Sequence, residues 1–376
     1  MKIISYLFCL LIAFGAMSCI DPYSLDFNQK NSVLVVEGFL TDDSVKPDTI
    51  KIQYSNFENE VVSIVPIASV KASVLNVETN EETKLIEQPK GGFLPPKNFK
   101  IKIQNKYILK FSLPNGQNYE SAPETITPTP AIAKVYDIFN PKSVLSEDGK
   151  KYLSANEVYL DTQDPSEQKN YYLWRYIHFE RLGFCITCTK SQYSVQTGAC
   201  SIPLANFNRT AYYDYQCAGD CFSIFKSKQV SVLSDVASNG QLIKGKLIAK
   251  IPNYSPTGCL IQIQQISISP EMFLYFKILE AQTQSNGGLA DTPPAGIVGN
   301  IKNITTPTEK VVGYFGVVSI QKSNYWIDRK DAKSPYELIL GHEISVENST
   351  ADTSRPPFAP CTASSTRTPI KPDGWQ

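Results

Sequence analysis

Short runs that alternate apolar and polar residues, with no helical period competing over the first third of the chain, most constrain what this sequence can fold into. Thr49-Ile50-Lys51-Ile52-Gln53-Tyr54 alternates strictly, and Ala68 to Val77 repeats the pattern with Val70, Ala72 and Val74 on one face. Ser32 to Leu40 (SVLVVEGFL) reads as a buried strand with a glycine bend, and Asp42-Asp43-Ser44 turns the chain after it. A turn at Gly91-Gly92 precedes Tyr107 to Leu113. Asn115-Gly116 is a hairpin signal, and Tyr119-Glu120-Ser121 follows it. Strands of this length and spacing predict a β-sandwich of immunoglobulin size over residues 32–130. Pro123, Pro128 and Pro130 stiffen a connector that marks its boundary. The abundance of Tyr (20), Phe (18), Pro (25) and Gly (20) beside only 3 Met favours such a strand-and-turn chain over a helical one.

Residues 131–376 predict a larger β-rich domain. Val158 to Asp161, Tyr171 to Tyr176 (YYLWRY), Gln229 to Leu233 and Gly258 to Ser269 are its strands. One short buried helix is expected: Ser269 caps it, Pro270 suits its first position, Glu271 complements the dipole, and Gly287-Gly288 ends it. Met272, Phe273, Phe276 and Leu279 form its apolar stripe, read as core. The fold class is therefore all-β: an immunoglobulin-like sandwich, then a β-rich domain with one helix.

The amino terminus sets the compartment. Lys2, the apolar run Ile3 to Ala13, and small residues Gly15, Ala16 and Ser18 make residues 1–18 a secretory signal peptide. Ala16-Met17-Ser18-Cys19 is a loose lipobox, so Cys19 is the expected lipid anchor and residues 19–31 a tether; an ordinary cleaved signal is the alternative. No later apolar run reaches spanning length. Removing Lys2 with the signal leaves a net charge of −1, which gives no electrostatic reason to expect nucleic acid.

Seven cysteines remain: Cys185, Cys188, Cys200, Cys217, Cys221, Cys259 and Cys361. Five of them crowd an insert at 185–221. Export favours disulfides there, with pairing open and one thiol left over because seven is odd. A four-thiolate zinc site drawn from Cys185, Cys188, Cys217 and Cys221 is the rival, and redox work lacks a thioredoxin-like context. Only two histidines occur, His178 and His342; either suits a general base, but a structural role is favoured. There is no nucleophile elbow, zinc-protease motif, phosphate loop or dinucleotide fingerprint, and no calcium loop, so neither an enzyme nor a cofactor is expected. Lys100, Lys102, Lys106 and Lys110 read as a basic face or a protected edge strand, with a polyanion groove as the weaker reading. Tyr212, Tyr213 and Tyr215 are the candidate interface, balanced against packing beneath a stapled loop.

Several segments resemble one family. Val33 to Asp43 (VLVVEGFLTDD), Tyr107 to Pro130 (YILKFSLPNGQNYESAPETITPTP) and Tyr171 to Arg175 are similar to its opening strand, its central block and its aromatic strand. Pro293 to Phe315 (PPAGIVGNIKNITTPTEKVVGYF) resembles its signature, and Cys361 to Trp375 its tryptophan-ended terminus. The chain thus resembles the domain of unknown function 4249 family of Bacteroidota outer-membrane surface lipoproteins. That resemblance implies a non-enzymatic accessory of a TonB-dependent, SusC-type outer-membrane barrel in nutrient capture, lipid-anchored in the outer membrane and facing outward. A structural or assembly role in an outer-membrane complex is the alternative, and a glycan or peptide hydrolase a distant third. The resemblance names no ligand.

Overall fold

In the computed structural model of the chain, alternation does place Leu34 and Val36 of Ser32–Thr41 (β1) in a core. The described residues are 32–43, 47–58, 61–146, 148–203, 212–283, 297, 299–332, 335–347 and 356–376. The expected signal 1–18, Cys19, the tether to residue 31 and Gly287-Gly288 lie outside them. Gly38 is the bend expected in β1: its φ is +144°, and a Cβ there would lie 2.6 Å from Ile50 Cα.

β1 pairs antiparallel with Ile50–Glu58 (β2). On the far side β2 carries Val61–Pro66 (β3) along one half and Gly92–Leu94 (β7) along the other, with Ile86–Gln88 (β6) beyond β7. Facing them is a second sheet ordered Ile301–Asn303 (β22), Asn118–Ser121 (β9), Lys106–Ser112 (β8), Lys71–Asn76 (β4) and Glu81–Lys84 (β5), with Glu124–Thr125 (β10) on β8. Leu34, Ile50, Ile52 and Phe93 from the first sheet share one core with Val74, Leu109, Tyr119 and Ile301 from the second. The β8–β9 hairpin turns at Gly116, whose φ of +85° glycine adopts without strain.

This sandwich does not close within residues 32–130. Phe315–Ile327 (β23) lies parallel to β1, with Gly38 opposite Phe315 and Thr41 opposite Val318. β23 then pairs with Cys259–Ser267 (β21), β21 with Tyr171–Arg181 (β13), and β13 with Phe222–Lys226 (β18). Arg367–Thr368 (β24) ends that side, and Ser231–Ser234 (β19) also joins β13. One sheet therefore runs through both sequence regions. The proline connector is docked onto it: the Thr129 hydroxyl donates to the Ser319 carbonyl (2.6 Å) and accepts the Ser267 N–H (2.9 Å).

A three-stranded sheet of Ile132–Leu145 (β11), Tyr152–Gln163 (β12) and Leu242–Pro252 (β20) covers one face of this long sheet. Val158, Leu160 and Ile251 from the smaller sheet pack there against Trp174, Ile261, Ile263 and Ile327. Helix α1 (Pro270–Thr283) lies on the opposite face, over Ile266 and Val318. Its cap is as expected, since Ser269 Oγ accepts the Met272 N–H at 3.2 Å. The helix is not buried, however. Met272 alone is fully buried; Leu274 and Ile278 are 61% and 42% exposed, because no further layer covers the outer side. Among the described residues no helix is long and apolar enough to cross a membrane. The insert adds two hairpin-like pairs, Phe184–Thr189 (β14) with Tyr212–Gln216 (β17) and Ser191–Ser194 (β15) with Ala199–Pro203 (β16). His342, expected in a strand-like run, sits in a loop.

Candidate functional site

Alternation along β13 sorts its side chains between two environments. Tyr172, Trp174 and Tyr176 enter the core beneath the three-stranded sheet, whereas Arg175, Ile177 and Phe179 turn to the other face. β21 repeats the sorting: Ile261 and Ile263 face in, and Leu260, Gln262 and Gln264 face out. Together with Lys322 of β23 these side chains floor a cleft of 650 Å3, walled by Pro47-Asp48 on one side and by tail residues Thr368 to Asp373 on another. A second cavity of 480 Å3 adjoins it and shares Pro47, Asp48, Arg175 and Lys226. Its walls are aromatic, from Phe39, Tyr275, Phe276 and Tyr314.

Arg175 is fixed at the junction. Its Nη2 lies 2.9 and 2.7 Å from the two Asp48 carboxylate oxygens, its Nε donates to Gln264 Oε1, and its guanidinium carbon sits 5.6 Å from the Phe39 ring centre. Lys322 pairs with Asp43. Lys226 also borders both cavities, is exposed, and has no ion-pair partner among the described residues. The cleft thus offers two lysines without an ion-pair partner among the described residues, Lys226 and Lys371, with a row of amides and a ring-lined wall, a combination suited to holding a polar ligand with some apolar surface.

The cysteine insert is built differently. Disulfides join Cys185 to Cys217, Cys188 to Cys200 and Cys221 to Cys361, and buried Cys259 is the thiol left over. The four thiolates of the zinc reading are each bonded to another cysteine, and none of the bonds joins two of them except Cys185–Cys217. The tyrosines expected at an interface are largely spent on packing. Tyr215 is 1% exposed; its hydroxyl donates to Glu347 (2.6 Å) and accepts the Tyr193 N–H (3.0 Å). Tyr213 packs on the same cluster, and the half-buried Tyr212 sets its ring against His342 (4.4 Å between ring centres) and donates to the Glu343 carbonyl. Tyr213 and Tyr215 share a cluster with Ile339 and Leu340, while Tyr212, on the alternate side of β17, is half-buried against His342 and Glu343.

Both histidines are tied to carboxylates away from the cleft. His342 Nε2 approaches Asp214 at 3.1 Å. Burial pushes the Asp214 carboxyl up, but the Ser345 N–H, the Thr187 hydroxyl and His342 outweigh it and hold the group below its usual range. His178 lies on the inner face of β13, 2.7 Å from Glu180, whose other contacts are with the Arg329 guanidinium. Burial opposes ionisation of Glu180, and His178 with Arg329 reverses that, lowering its pKa. Buried Cys259 adjoins this group, and burial raises its thiol well above normal. His178, Glu180 and Cys259 have metal-like spacing, yet Arg329 donates to both oxygens of the Glu180 carboxylate, which makes the core of the cluster a buried Arg–Glu ion pair.

The segment Gly299 to Gly316 explains itself by packing. A Cβ on Gly299 would fall 1.6 Å from the Gly313 carbonyl oxygen; one on Gly313, at φ +94°, would fall 2.1 Å from the Val36 oxygen; one on Gly316 would strike Met272 Cε at 2.0 Å. Asn300 clamps the turn by accepting the Phe315 N–H (3.0 Å) and donating to the Phe315 carbonyl (2.8 Å). Beside it the buried Glu124 accepts from Tyr314 (2.5 Å), Ser269 (2.9 Å) and Asn300 (3.3 Å). Burial pushes Glu124 up to about 7 against those three donors.

Sequence reasoning missed Arg175, Lys226, Gln262 and Gln264 as a group. The one signal for them is the pair of glutamines interrupting the outer face of an isoleucine-rich strand, Cys259 to Ser267.

Residues 20–324 match the family described as Domain of unknown function (DUF4249), and the chain belongs to that family. No curated protein and no solved structure matches it.

Proposed function

We propose that this chain is a lipid-anchored surface protein of the bacterial outer membrane that holds a ligand without transforming it, as the accessory of a TonB-dependent barrel. The observation that carries the reading is the cleft around Arg175: a fixed guanidinium, free Lys226, outward glutamines and an aromatic wall, with neither histidine inside it. General acid–base work most often falls to histidine, and both imidazoles are held by buried carboxylates outside the cleft, while its Asp48 and Asp43 are paired with Arg175 and Lys322. The anchor is Cys19, with the tether of residues 19–31 giving the body reach from the membrane. Bacteroidota membership and the outward orientation belong to the same proposal, resting on the chain's resemblance to a Bacteroidota family of surface lipoproteins.

The test is purification of the lipidated protein from outer membranes in mild detergent, beside a Cys19→Ala variant. The expected result is a stoichiometric β-barrel with the wild type and neither acyl label nor barrel with the variant. A wild type that purifies alone, or a variant that keeps its acyl label, overturns the proposal.

A further inference from the structure

β3 is the most exposed regular element near the sandwich edge. Every residue of Val61–Pro66 is exposed, with Val61 and Val62 each at 63%, Ile64 at 53% and Val65 at 41%. Alternation puts Val61, Ser63 and Val65 on one face and Val62 and Ile64 on the other, so apolar side chains point both ways. Among the described residues the strand pairs only with β2, which leaves its second edge of N–H and C=O groups open. Folded proteins usually guard such an edge with charge, and Val61 to Val65 carries none.

The sequence of that edge specifies what fits it. Read antiparallel to itself about Ser63, VVSIV sets Val61 opposite Val65, Val62 opposite Ile64, and Ser63 opposite Ser63 of the other strand. Apolar residues then meet apolar residues of near-equal size on both faces, which is the pairing that stabilises antiparallel sheets. Pro66, lacking an N–H, ends the donor row just past this register. A lipid surface would cover the valines but leave the backbone edge unpaired. A parallel second copy would leave a new edge open, whereas the antiparallel one closes on a twofold axis.

We propose that β3 joins two copies of this chain, antiparallel and centred on Ser63, so that β2 and β3 of each copy form one continuous sheet across the axis. The interface is small, and confinement of both copies to a membrane raises their effective concentration.

Because that confinement rests on the proposed lipid anchor, the test uses native outer membranes holding the Ser63→Cys protein, with acyl labelling checked in parallel, treated with a short-spacer bismaleimide and run under denaturing conditions. Lys150→Cys, at a side chain 81% exposed far along the chain, is the collision control. Cross-linked dimer is expected as the major Ser63→Cys product, absent from Lys150→Cys, and reduced to that background when Val62→Lys and Ile64→Lys are added. Because all these positions are exposed, the variants keep the fold, which a near-unchanged melting temperature verifies. Monomer from Ser63→Cys, equal dimer from Lys150→Cys, or cross-linking to a different protein each overturns the proposal.

Discussion

The Gly299–Gly316 junction and the 185–221 insert each depend on one residue type, glycine in the first and cysteine in the second, and opposite physics holds them. At the junction Gly299 and Gly313 let backbone pass where a single Cβ would sit inside another backbone atom, Gly316 leaves room for the Met272 side chain, and β1 thereby reaches β23. In the insert the chain is short of apolar residues, and three covalent bridges replace the burial it lacks, one of them reaching 140 residues to the tail. Shape closes the first region and chemistry the second. The comparison teaches that the sheet shared by both halves of the chain depends on the junction, whereas the insert is a stapled appendage upon it.

The largest expected effect tests the junction. Gly313→Ala combines overpacking against Val36 with left-handed strain and is expected to cost roughly 3 kcal/mol or more. Gly299→Ala carries no left-handed strain, but its Cβ would fall still closer to backbone, 1.6 Å from the Gly313 oxygen, so a comparable cost is expected. Urea unfolding at constant slope measures both; a Gly313→Ala midpoint equal to wild type breaks the account of the junction.

Next comes the insert. Replacing Cys221 and Cys361 together by Ala should cost about 2–5 kcal/mol, felt locally. Limited proteolysis should cut the insert and tail first, with the β1–β23 core resistant. Simultaneous loss of both regions would show that the bridges hold more than the insert.

Glu124 sharpens the junction further. Its native pKa of about 7 lies above the ordinary 4.5, so the folded state binds more protons than the unfolded state between those values. Stability should therefore fall as pH rises from 4.5 to about 7 and level off above, by up to about 3 kcal/mol at this site. Glu124→Gln should flatten that slope, read from denaturant midpoints across the range. An unchanged slope would place the carboxyl in a wetter setting than the one described.

Legibility followed the range of the interactions. The alternation of β1, β4 and β8, the Asn115-Gly116 hairpin and the Ser269 cap are local, and each stands where its residues point. β11 carries no clear strand signal: its fourteen residues alternate poorly, since most are half-buried or exposed, and Pro141 interrupts them. The parallel pairing of β1 with β23 joins residues far apart in the chain and leaves no local mark. The same holds for the cleft, because Arg175 becomes a site residue only through Asp48 and Gln264 of other segments. The insert's cysteines announced their bridges, while the partners awaited the fold.

The smallest stability effect bears on the central proposal, in which the Arg175 cleft rather than the insert is the working surface. Lys226→Glu should change stability by within about 0.5 kcal/mol, as Lys226 is exposed and without an ion-pair partner among the described residues. The direct measurement is lysine-reactive labelling of the lipidated protein, purified and in native outer membranes, read by mass spectrometry. The account expects Lys226 labelling to drop severalfold in the membrane while Lys190, within the insert, and Lys150, between β11 and β12, label equally in both settings. Protection at Lys190 with Lys226 labelled as in the purified protein would contradict it.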